Sequence, residues 1–502
     1  MIRFTLDEIL DHVPVQWSAG RIRPRDVRVT AVSTDSRSIE PGALFVGIAG
    51  PRFDGAAFAA DAVAAGAVAV LATDEPGVRE KLAKVCLEHD VVVATAVDAT
   101  AALGQIAALV RSRLDVPVVG ITGSCGKTST KEMLRDLLSA SRRTVASPAS
   151  FNNQIGVPRT IFLADEATEA LVLEIGMNHP GEIAPLARIA RPRVGVVTMI
   201  GRAHLEALET VEGIAREKGA LLEALDPNLT PGATAVVNRD CPHTPLLLDR
   251  VREGVRVLST SAEGDPSASL FARDVNVVRE GTRCTLDGPA LPASLRGRTV
   301  EIPLLGEHAV ANLLAALGAV IASGADVAAA LDAVGDLAPA PHRLQPLHAG
   351  GVLVVDDSYN ANPDSMRAAL DVLARLRLPR TVSGRPRRIL AVGEMGELGA
   401  DSVRLHREAG AYARRIGVDL VLGVGDVGPR TPLAAFLEGA RSPGLFADHA
   451  ATIDEALELL TRGPDSLRRG DAILLKASRA AGLDRLATGI VDALGSAAEV
   501  AL

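Results

Sequence analysis

The chain has 502 residues, too many for one ordinary hydrophobic core, and this length indicates about three domains. A formal net charge of -8 and an aromatic content of 2% argue against a nucleic-acid-binding protein, because such proteins need a basic surface and stacking side chains. Four cysteines lie far apart without a CxxC pair, which argues against a zinc site or a disulfide framework.

The first predicted block, residues 1–98, is a small α/β unit. Strand-like segments RDVRVT and GALFVGI alternate there with an Ala-rich helix around AAFAADAVAAGA. The chain starts with acidic residues where a signal peptide needs a basic start, and no apolar span of about 18 residues follows. We therefore expect a soluble cytoplasmic protein without a transmembrane segment.

The second and third blocks, residues 99–336 and 337–502, both show the alternation of strands and helices that is typical of parallel sheets. The strand-like runs are VPVVGIT, ALVLEIGM, RVGVVTMI and ATAVVNRD in the second block, and GVLVVDDS, RRILAVGEM, VDLVLGVG and DAILLKAS in the third. The Pro-rich segment LAPAPHRLQP, residues 337–346, is predicted to connect them. The predicted fold is α/β in three domains: a small N-terminal unit, a central parallel sheet with a phosphate loop, and a C-terminal doubly wound, Rossmann-like sheet.

The segment GITGSCGKTST, residues 120–130, lies between a predicted strand and a predicted helix, which is where phosphate-binding loops occur. Its glycine pattern is displaced, because Ile121 stands where a glycine normally precedes GKT. Glycine amides can approach phosphate oxygens, Lys127 can reach the outer phosphates, and the Thr128 hydroxyl can ligand magnesium. Cys125 is a small side chain tolerated beside glycines and receives no catalytic role. The loop predicts a nucleoside triphosphate site.

Three further polar residues are ambiguous by themselves. Glu174 ends an apolar strand, where a carboxylate is costly unless it has a partner, and His204, after the next strand, could be an ordinary loop histidine. Lys218 lies on the apolar face of a predicted helix, four residues from both Ile214 and Leu222. It either extends its ammonium to water or is desolvated with a depressed pKa.

The segments GITGSCGKTST, LEIGMNHPGEI, IGRAHLE and IAREKGALLEAL, in this order, resemble the Mur ligase superfamily, the ATP-dependent ligases of peptidoglycan precursor synthesis. The resemblance implies ATP and Mg²⁺ as cofactors and a carbamylated Lys218. It implies the metal ligands Thr128, Glu174, His204 and Lys218, and a catalytic set of Lys127, Glu174, His204, Lys218 and Arg343. The implied ATP contacts are Gly123, Ser124, Cys125, Gly126, Lys127, Thr128, Ser129, His308, Asn312, Arg343 and Asp357.

The segment DDSYNANPDSM, residues 356–366, resembles the members of this family that add D-alanyl-D-alanine to a UDP-linked muramoyl tripeptide. By resemblance Asp357 holds the ATP ribose, while Asn360, Asn362 and Asp364 lie near the incoming dipeptide. Asn, Pro and Asp are also typical of a turn that caps a helix, and the two roles are compatible.

Two segments resemble the parts of the family that hold the UDP-sugar peptide. STDSRSIEPGALFVGIAGPRFDG, residues 33–55, implies contacts from Ser36 and Arg37, although an exposed arginine is also an ordinary surface charge. FNNQIGVPRT, residues 151–160, implies contacts from Asn152 and Asn153, which by themselves would be plain turn formers.

Three positions depart from the family pattern. GEHAVANLLAAL has Ala309 where the family usually has asparagine, which leaves His308 and Asn312 as the adenine contacts. PAPHRLQP has His342 in place of the usual glycine before Arg343, the arginine that would face the γ-phosphate. LLKASR stands where the family tends to have KGSR, and a basic cluster at a sheet edge is the alternative.

The implied reaction transfers the γ-phosphoryl group of ATP to the tripeptide carboxylate, and the amine of D-alanyl-D-alanine then displaces it. The expected partners are these small molecules only, and the expected state is a monomer. One alternative is a folylpolyglutamate synthase, which adds glutamate to folate by the same chemistry. Another is a non-catalytic nucleotide-binding scaffold. The presence of Lys127, Glu174, His204 and Lys218 together argues against it, because a scaffold needs no second metal site beside the one at the phosphates. A motor or kinase is disfavoured by the loop spacing and by the missing acidic pair at a strand end.

Overall fold

The computed structural model describes residues 1–19, 21–50, 53–278, 281–378, 385–442 and 446–495. Within these residues the chain forms three large sheets, one in each predicted block, together with the two-stranded pairs β1–β3 and β6–β7. The described part contains no helix long and apolar enough to cross a bilayer.

The N-terminal unit is built on a five-stranded sheet of order β2-β9-β8-β5-β4, parallel except for β2. RDVRVT contributes only a two-residue strand, and the Ala-rich segment is α-helical only over its middle. The elements are β1 Phe4–Thr5, α1 Leu6–His12, β2 Gln16–Ser18, β3 Arg28–Val29, β4 Ala31–Ser33, β5 Ala43–Gly47, β6 Ala49–Gly50, β7 Phe53–Asp54, α2 Ala59–Ala64, β8 Ala69–Thr73, α3 Val78–His89 and β9 Val92–Ala96.

The central domain contains a nine-stranded sheet of order β11-β12-β10-β13-β14-β15-β16-β17-β18. Its first seven strands pair in parallel, as the alternation of strands and helices predicts. The last three strands pair antiparallel, an extension that the sequence did not predict. The elements are α4 Ala99–Ser112, β10 Val118–Thr122, α5 Lys127–Ser139, β11 Thr144–Ala146, α6 Gly156–Phe162, β12 Ala170–Glu174, α7 Ile183–Ala190, β13 Val194–Val197, α8 Leu205–Leu208, α9 Val211–Glu223, β14 Thr234–Asn238, α10 Thr244–Leu248, β15 Arg256–Ser261, β16 Leu270–Val278, β17 Gly281–Asp287, β18 Arg298–Ile302, α11 Glu307–Ser323 and α12 Val327–Asp332.

The C-terminal domain is a six-stranded sheet of order β19-β20-β24-β21-β22-β23, parallel except for β19. Apolar clusters cover both of its faces, which confirms the doubly wound prediction. The predicted connector is shorter than expected, because residue 345 already begins a strand. The elements are β19 Gln345–Ala349, β20 Val352–Asp357, α13 Pro363–Arg375, β21 Arg388–Val392, α14 Ser402–Arg415, β22 Leu420–Val424, α15 Pro432–Ala440, β23 Phe446–Ala450, α16 Ile453–Arg462, β24 Ala472–Lys476 and α17 Leu483–Leu494.

The strand order determines where functional residues can meet. In the central sheet β12, β10 and β13 are parallel neighbours, so their carboxyl ends bring Glu174, the phosphate loop and the segment after Val197 to one edge. In the C-terminal sheet β20, β24 and β21 are likewise parallel neighbours, so Asp357 and Lys476 meet at one edge. Ligands of open α/β sheets bind at such edges.

The domain borders at 98/99 and 336/337 stay predictions. One apolar cluster runs from the N-terminal unit into the central domain, joining Phe4 and Leu71 with Leu103 of α4 and Leu171 of β12. Helix α4, capped by Asp98, therefore packs against both units.

Candidate active site

The phosphate loop joins β10 to α5, and its glycines are required by close approaches. Gly123 and Gly126 have φ angles of +151° and +83°, which L side chains rarely adopt. A Cβ atom on Gly123 would lie 2.0 Å from Thr198 Oγ1, and one on Gly126 would lie 2.4 Å from Asn312 Oδ1. Glycine is therefore required at both positions, because Thr198 and Asn312 leave no room for a Cβ atom.

Hydrogen bonds to the segment after β13 fix the loop. The Ser124 amide donates to the Met199 carbonyl at 2.8 Å, and the Gly201 amide donates to Ser124 Oγ at 2.9 Å. Lys127 Nζ donates to the Gly123 carbonyl at 2.7 Å, so its ammonium lies over the loop. Burial lowers the pKa of Lys127. These contacts within the protein therefore hold the loop in one conformation.

A cavity of about 390 Å³ opens between the central and C-terminal domains. Most of the residues predicted to bind ATP, metal or dipeptide line it: Ser124, Cys125, Gly126, Lys127, Thr128, Ser129, Asn152, Glu174, His204, His308, Asn312, Arg343, Asp357, Asn360, Asn362 and Asp364. Five predicted residues are not among its lining residues: Ser36, Arg37, Gly123, Asn153 and Lys218.

Glu174 is a buried carboxylate with an unsatisfied oxygen. Its side chain is 1% exposed, Oε1 accepts a hydrogen bond from Asn152 Nδ2 at 2.8 Å, and Oε2 has no hydrogen-bond partner. Buried polar atoms are nearly always paired, so an unpaired oxygen beside a phosphate loop fits a bound cation. Asn152 orients the carboxylate, a contact that the sequence did not predict.

Lys218 points inward, as its helical spacing predicts. The side chain is fully buried and Nζ has no hydrogen-bond partner, so the alternative of a solvent-exposed ammonium is excluded. Burial, reinforced by repulsion from Lys127, lowers the pKa of Lys218 well below its usual value. A neutral amine in this position fits a lysine that is modified at Nζ.

His204 binds a residue of the other domain. Its Nδ1 lies 2.5 Å from Glu397 Oε2, and this hydrogen bond is the main cause of the lowered pKa of Glu397. With Nδ1 engaged, only Nε2 could ligand a metal. Among the described residues no three His, Cys, Asp or Glu side chains gather as a metal site. The predicted ligand set contains only two such side chains and otherwise uses a hydroxyl and a lysine.

Arg343 reaches across the domain boundary to the phosphate loop. Its Nη2 donates to Thr128 Oγ1 at 3.0 Å, and its guanidinium lies 4.2 Å from the centre of the Tyr359 ring. His342, which stands where the resemblance leads us to expect a glycine, has a φ of +59°. The backbone thus has a conformation that glycine adopts easily, and the histidine side chain is hydrogen-bonded to Asp356.

The end of β20 carries the predicted ribose contact. Asp357 Oδ2 lies 2.5 Å from Nζ of Lys476, which also donates to the Asn360 carbonyl at 3.0 Å. Lys476 is 1% exposed and lines the cavity. It lies in LLKASR, so the segment belongs to the cavity wall and is not an edge cluster.

The predicted dipeptide residues already have partners within the protein. Asn362 caps α13, where Oδ1 accepts from the Ser365 amide, and its Nδ2 also lies 3.3 Å from Cys125 Sγ. Asp364 accepts from the backbone amide of Arg202 at 2.6 Å and from its guanidinium at 3.2 Å. The capping role therefore coexists with a position on the cavity wall, and a ligand of Asp364 would compete with Arg202.

The helix α11 supplies the predicted adenine contacts. His308 and Asn312 line the cavity, and burial lowers the pKa of His308. Asn312 Oδ1 accepts from Thr130 Oγ1 at 3.3 Å. Ala309 is 2% exposed, belongs to the apolar core and, with His308 and Asn312, borders a smaller second cavity, to which it contributes only an apolar surface.

Three predicted substrate residues lie away from the cavity lining. Asn153 Oδ1 accepts from the amides of Ile155 and Gly156 and so closes the turn before α6, as a plain turn former would. Ser36 and Arg37 occupy a short turn after β4, where the exposed Arg37 is paired with Asp35 and lowers the pKa of that carboxyl to about 2. Their roles stay predictions.

Several lining residues were not singled out from the sequence. Tyr359 and Lys476 stand inside segments that the motif search had identified, so their position was the available signal. Glu397 and Ser150 lie outside those segments, and both take part in contacts between the domains. Ser150 Oγ and the Tyr359 hydroxyl form one of these contacts.

Comparison with known proteins identifies the family. Three domain families match in order: the Mur ligase family catalytic domain at residues 28–111, the Mur ligase middle domain at 121–320, and the Mur ligase glutamate ligase domain at 342–479. The UDP-N-acetylmuramoyl-tripeptide--D-alanyl-D-alanine ligase of Mycobacterium tuberculosis is 38% identical over 531 aligned residues, which cover 99% of each chain. The chain belongs to the Mur ligase family.

Solved structures agree with the fold of this Mur ligase. A crystal structure of MurF from Acinetobacter baumannii superposes with a TM-score of 0.81 at 27% identity, covering 98% of this chain and 99% of that one. The MurF ligase of Thermotoga maritima in complex with ADP superposes with a TM-score of 0.75 at 27% identity, covering 92% and 97%. This Mur ligase therefore has the three-domain α/β architecture of the family.

Proposed function

We propose that this Mur ligase uses ATP to join D-alanyl-D-alanine to the terminal carboxylate of a UDP-N-acetylmuramoyl tripeptide. One observation carries the proposal: the phosphate loop, Glu174 and the segment DDSYNANPDSM border a single cavity between two domains. Relatives that are similar over their whole length are named for this reaction.

The first step activates the tripeptide. A carboxylate is a poor acyl donor, so its oxygen attacks the γ-phosphorus of ATP, the bond to the β-phosphate breaks, and an acyl phosphate and ADP result. The loop amides and Lys127 hold the phosphates, and Arg343 approaches from the C-terminal domain. No side-chain nucleophile is needed, because such a transfer depends on positioning and on neutralising charge.

Magnesium would be held by Thr128, Glu174, His204 and a modified Lys218. When bound, it would neutralise phosphate charge and draw the phosphate and carboxylate oxygens together. The unpaired Oε2 of Glu174 and the unpaired Nζ of Lys218 support this donor set.

The modification of Lys218 that we propose is carbamylation. The neutral amine attacks carbon dioxide, a nitrogen–carbon bond forms, and one proton leaves. The product is a carboxylate at the end of the lysine, which converts a buried amine without a partner into an anionic ligand.

The second step forms the amide bond. The amine of D-alanyl-D-alanine attacks the acyl carbon, inorganic phosphate leaves, and the amine loses a proton. We assign Asn360, Asn362 and Asp364 to the dipeptide, with Asp364 exchanging its bonds to Arg202 for bonds to the ligand. We expect the C-terminal domain to close over the cavity and to limit the access of water to the acyl phosphate.

We assign the UDP-sugar peptide to the N-terminal unit and the neighbouring turn, through Ser36, Arg37, Asn152 and Asn153. Asn152 supports this assignment because it lines the cavity beside Glu174. Action in the cytoplasm as a monomer is part of the proposal.

A substrate panel tests the proposal. The purified chain is given ATP, Mg²⁺, D-alanyl-D-alanine and a UDP-tripeptide that ends in either lysine or diaminopimelate, and phosphate release is followed. We expect release only when both peptide substrates are present, with a preference for one of the two tripeptides. A parallel arm offers folate and L-glutamate. Release in that arm alone would instead favour a folylpolyglutamate synthase, and ATP binding without release in any arm would favour a scaffold.

A further inference from the structure

Arg343 is held between two residues with left-handed backbone. His342 and Leu344 have φ angles of +59° and +47°, a conformation that residues with a Cβ atom adopt reluctantly. A non-glycine residue stays in this region only when its surroundings hold it there. Arg343, which contacts Thr128, lies between these two residues, so other contacts must hold their backbone in this conformation.

Hydrogen bonds to the end of β20 and to the start of β19 hold His342 and Leu344 in this conformation. The imidazole Nδ1 of His342 lies 2.7 Å from Asp356 Oδ2, and its amide donates to Gln345 Oε1 at 3.1 Å. The Leu344 amide donates to Asp357 Oδ1 at 3.2 Å. Both strained residues are thus tied to consecutive carboxylates.

Asp356 is itself fixed in place. It is 2% exposed, and its Oδ1 accepts from both the amide and the hydroxyl of Ser358, at 3.0 and 2.5 Å. Its other oxygen faces His342. A carboxylate held in this way is a rigid support, so the imidazole position is determined by β20 and not by the loop.

We propose that His342 is a positioning residue of the ligation reaction, whose bond to Asp356 directs Arg343 at the phosphate loop. The inference rests on the proposed function and extends it, because it gives a role to a side chain that is not among the residues lining the cavity. His342 acts through Arg343 alone. Its loss therefore slows the phosphoryl transfer step and leaves recognition of the dipeptide unchanged.

Kinetics of the full-length protein with H342A, H342G and H342N test this inference. H342A loses the bond to Asp356 and keeps the strain, so we expect kcat to fall about tenfold with the KM for D-alanyl-D-alanine unchanged. H342G relieves the backbone strain but also loses the bond to Asp356, so its kcat should fall by a similar factor. H342N tolerates the left-handed conformation and carries an amide donor, so it should recover at least about a third of kcat. H348A, at an exposed histidine of β19, is the matched control and should behave as wild type.

A double-mutant cycle separates positioning from general damage. In an R343A background, adding H342A should change the remaining kcat by less than about twofold, because the residue through which His342 acts is already gone. Thermal midpoints are recorded for every variant. Equal losses in both backgrounds, or an H342A enzyme with wild-type kcat, would overturn the inference. A wild-type protein without ligase activity would instead refute the proposed function, so the two failures are distinguishable.

Discussion

Two lysines of the central domain are equally buried and have opposite surroundings. Lys131 on α5 donates to the carbonyls of Ser147 and Ala149 at 2.7 and 2.6 Å and lies 2.5 Å from a carboxylate oxygen of Glu132. Lys218 on α9 has no partner at Nζ. Both side chains are 0% exposed. Burial alone therefore does not distinguish a structural lysine from a chemical one, whereas the presence or absence of acceptors does.

The presence or absence of acceptors decides how much a buried lysine costs the folded state. A buried ammonium with three acceptors recovers much of its desolvation cost, and here it ties α5 to the segment after β11. A buried amine without acceptors is stable only when neutral or when another group completes its surroundings. Such an unsatisfied group persists in a folded protein where function requires it.

The largest expected effect is on catalysis by Lys218→Ala. Loss of the proposed metal ligand should lower ligase activity by about a thousandfold or more, since it removes charge stabilisation at the reacting phosphate. Added acetate or propionate should restore part of the activity by occupying the space. ADP release with both substrates present is the measurement. Lys131→Ala is the matched control and should show no rescue, while unaltered activity in Lys218→Ala would remove the modified lysine from the mechanism.

Lys131→Met should show the largest loss of stability. Removing the ammonium leaves the carbonyls of Ser147 and Ala149 without this donor and leaves Glu132 with Arg135 as its cation, and we expect a loss of about 2–3 kcal/mol in the free energy of unfolding. Urea unfolding followed by circular dichroism measures it. If the stability is unchanged, the three contacts of Lys131 contribute nothing and the contrast with Lys218 fails.

Lys218→Met should raise the free energy of unfolding, whereas Lys131→Met lowers it, and the size of this increase should depend on pH. Replacing an unpaired buried amine by an apolar side chain should raise the free energy of unfolding by about 1–2 kcal/mol at neutral pH. Because the folded state lowers the pKa of Lys218, the unfolded chain binds a proton that the folded chain has lost. The free energy of unfolding of the wild type therefore rises with pH up to the ordinary lysine pKa of 10.5. The difference in free energy of unfolding between Lys218→Met and the wild type narrows over the same pH range. Unfolding in buffers free of carbon dioxide at several pH values tests this, and a gap independent of pH would contradict it.

The smallest effect is expected for Glu132→Gln. Lys131 keeps both of its backbone carbonyl acceptors in this variant, so the loss of stability should stay below about 1 kcal/mol. The same urea experiment measures it. A loss as large as that of Lys131→Met would show that the charge of Glu132, which also pairs with Arg135, contributes more than the carbonyl contacts of Lys131.

Helical spacing in the sequence indicates that both lysine side chains face the core, but it does not indicate which acceptors surround them. Lys131 precedes Leu134 and Leu138 at helical spacing, as Lys218 precedes Leu222, so both are placed on apolar faces. The acceptors of Lys131 are main-chain carbonyls sixteen and eighteen residues away, and no residue type marks them. Glu174 and the loop could be placed together from the sequence because parallel strand ends share an edge.

The contacts between the domains could not be predicted. The pairs His204–Glu397 and Arg202–Asp364 depend on how the C-terminal domain lies against the central one, which local patterns do not encode. The antiparallel pairing of β16, β17 and β18 was missed because the alternation of strands and helices in the sequence predicts parallel neighbours only.

The central claim is that the cavity activates a carboxylate as an acyl phosphate. The most direct test labels the terminal carboxylate of the tripeptide with ¹⁸O and analyses the phosphate released during turnover with D-alanyl-D-alanine by mass spectrometry. We expect one ¹⁸O atom in each phosphate, because the oxygen that joins the acyl carbon to phosphorus leaves with the phosphate when the amine attacks. Product formation with unlabelled phosphate would contradict it.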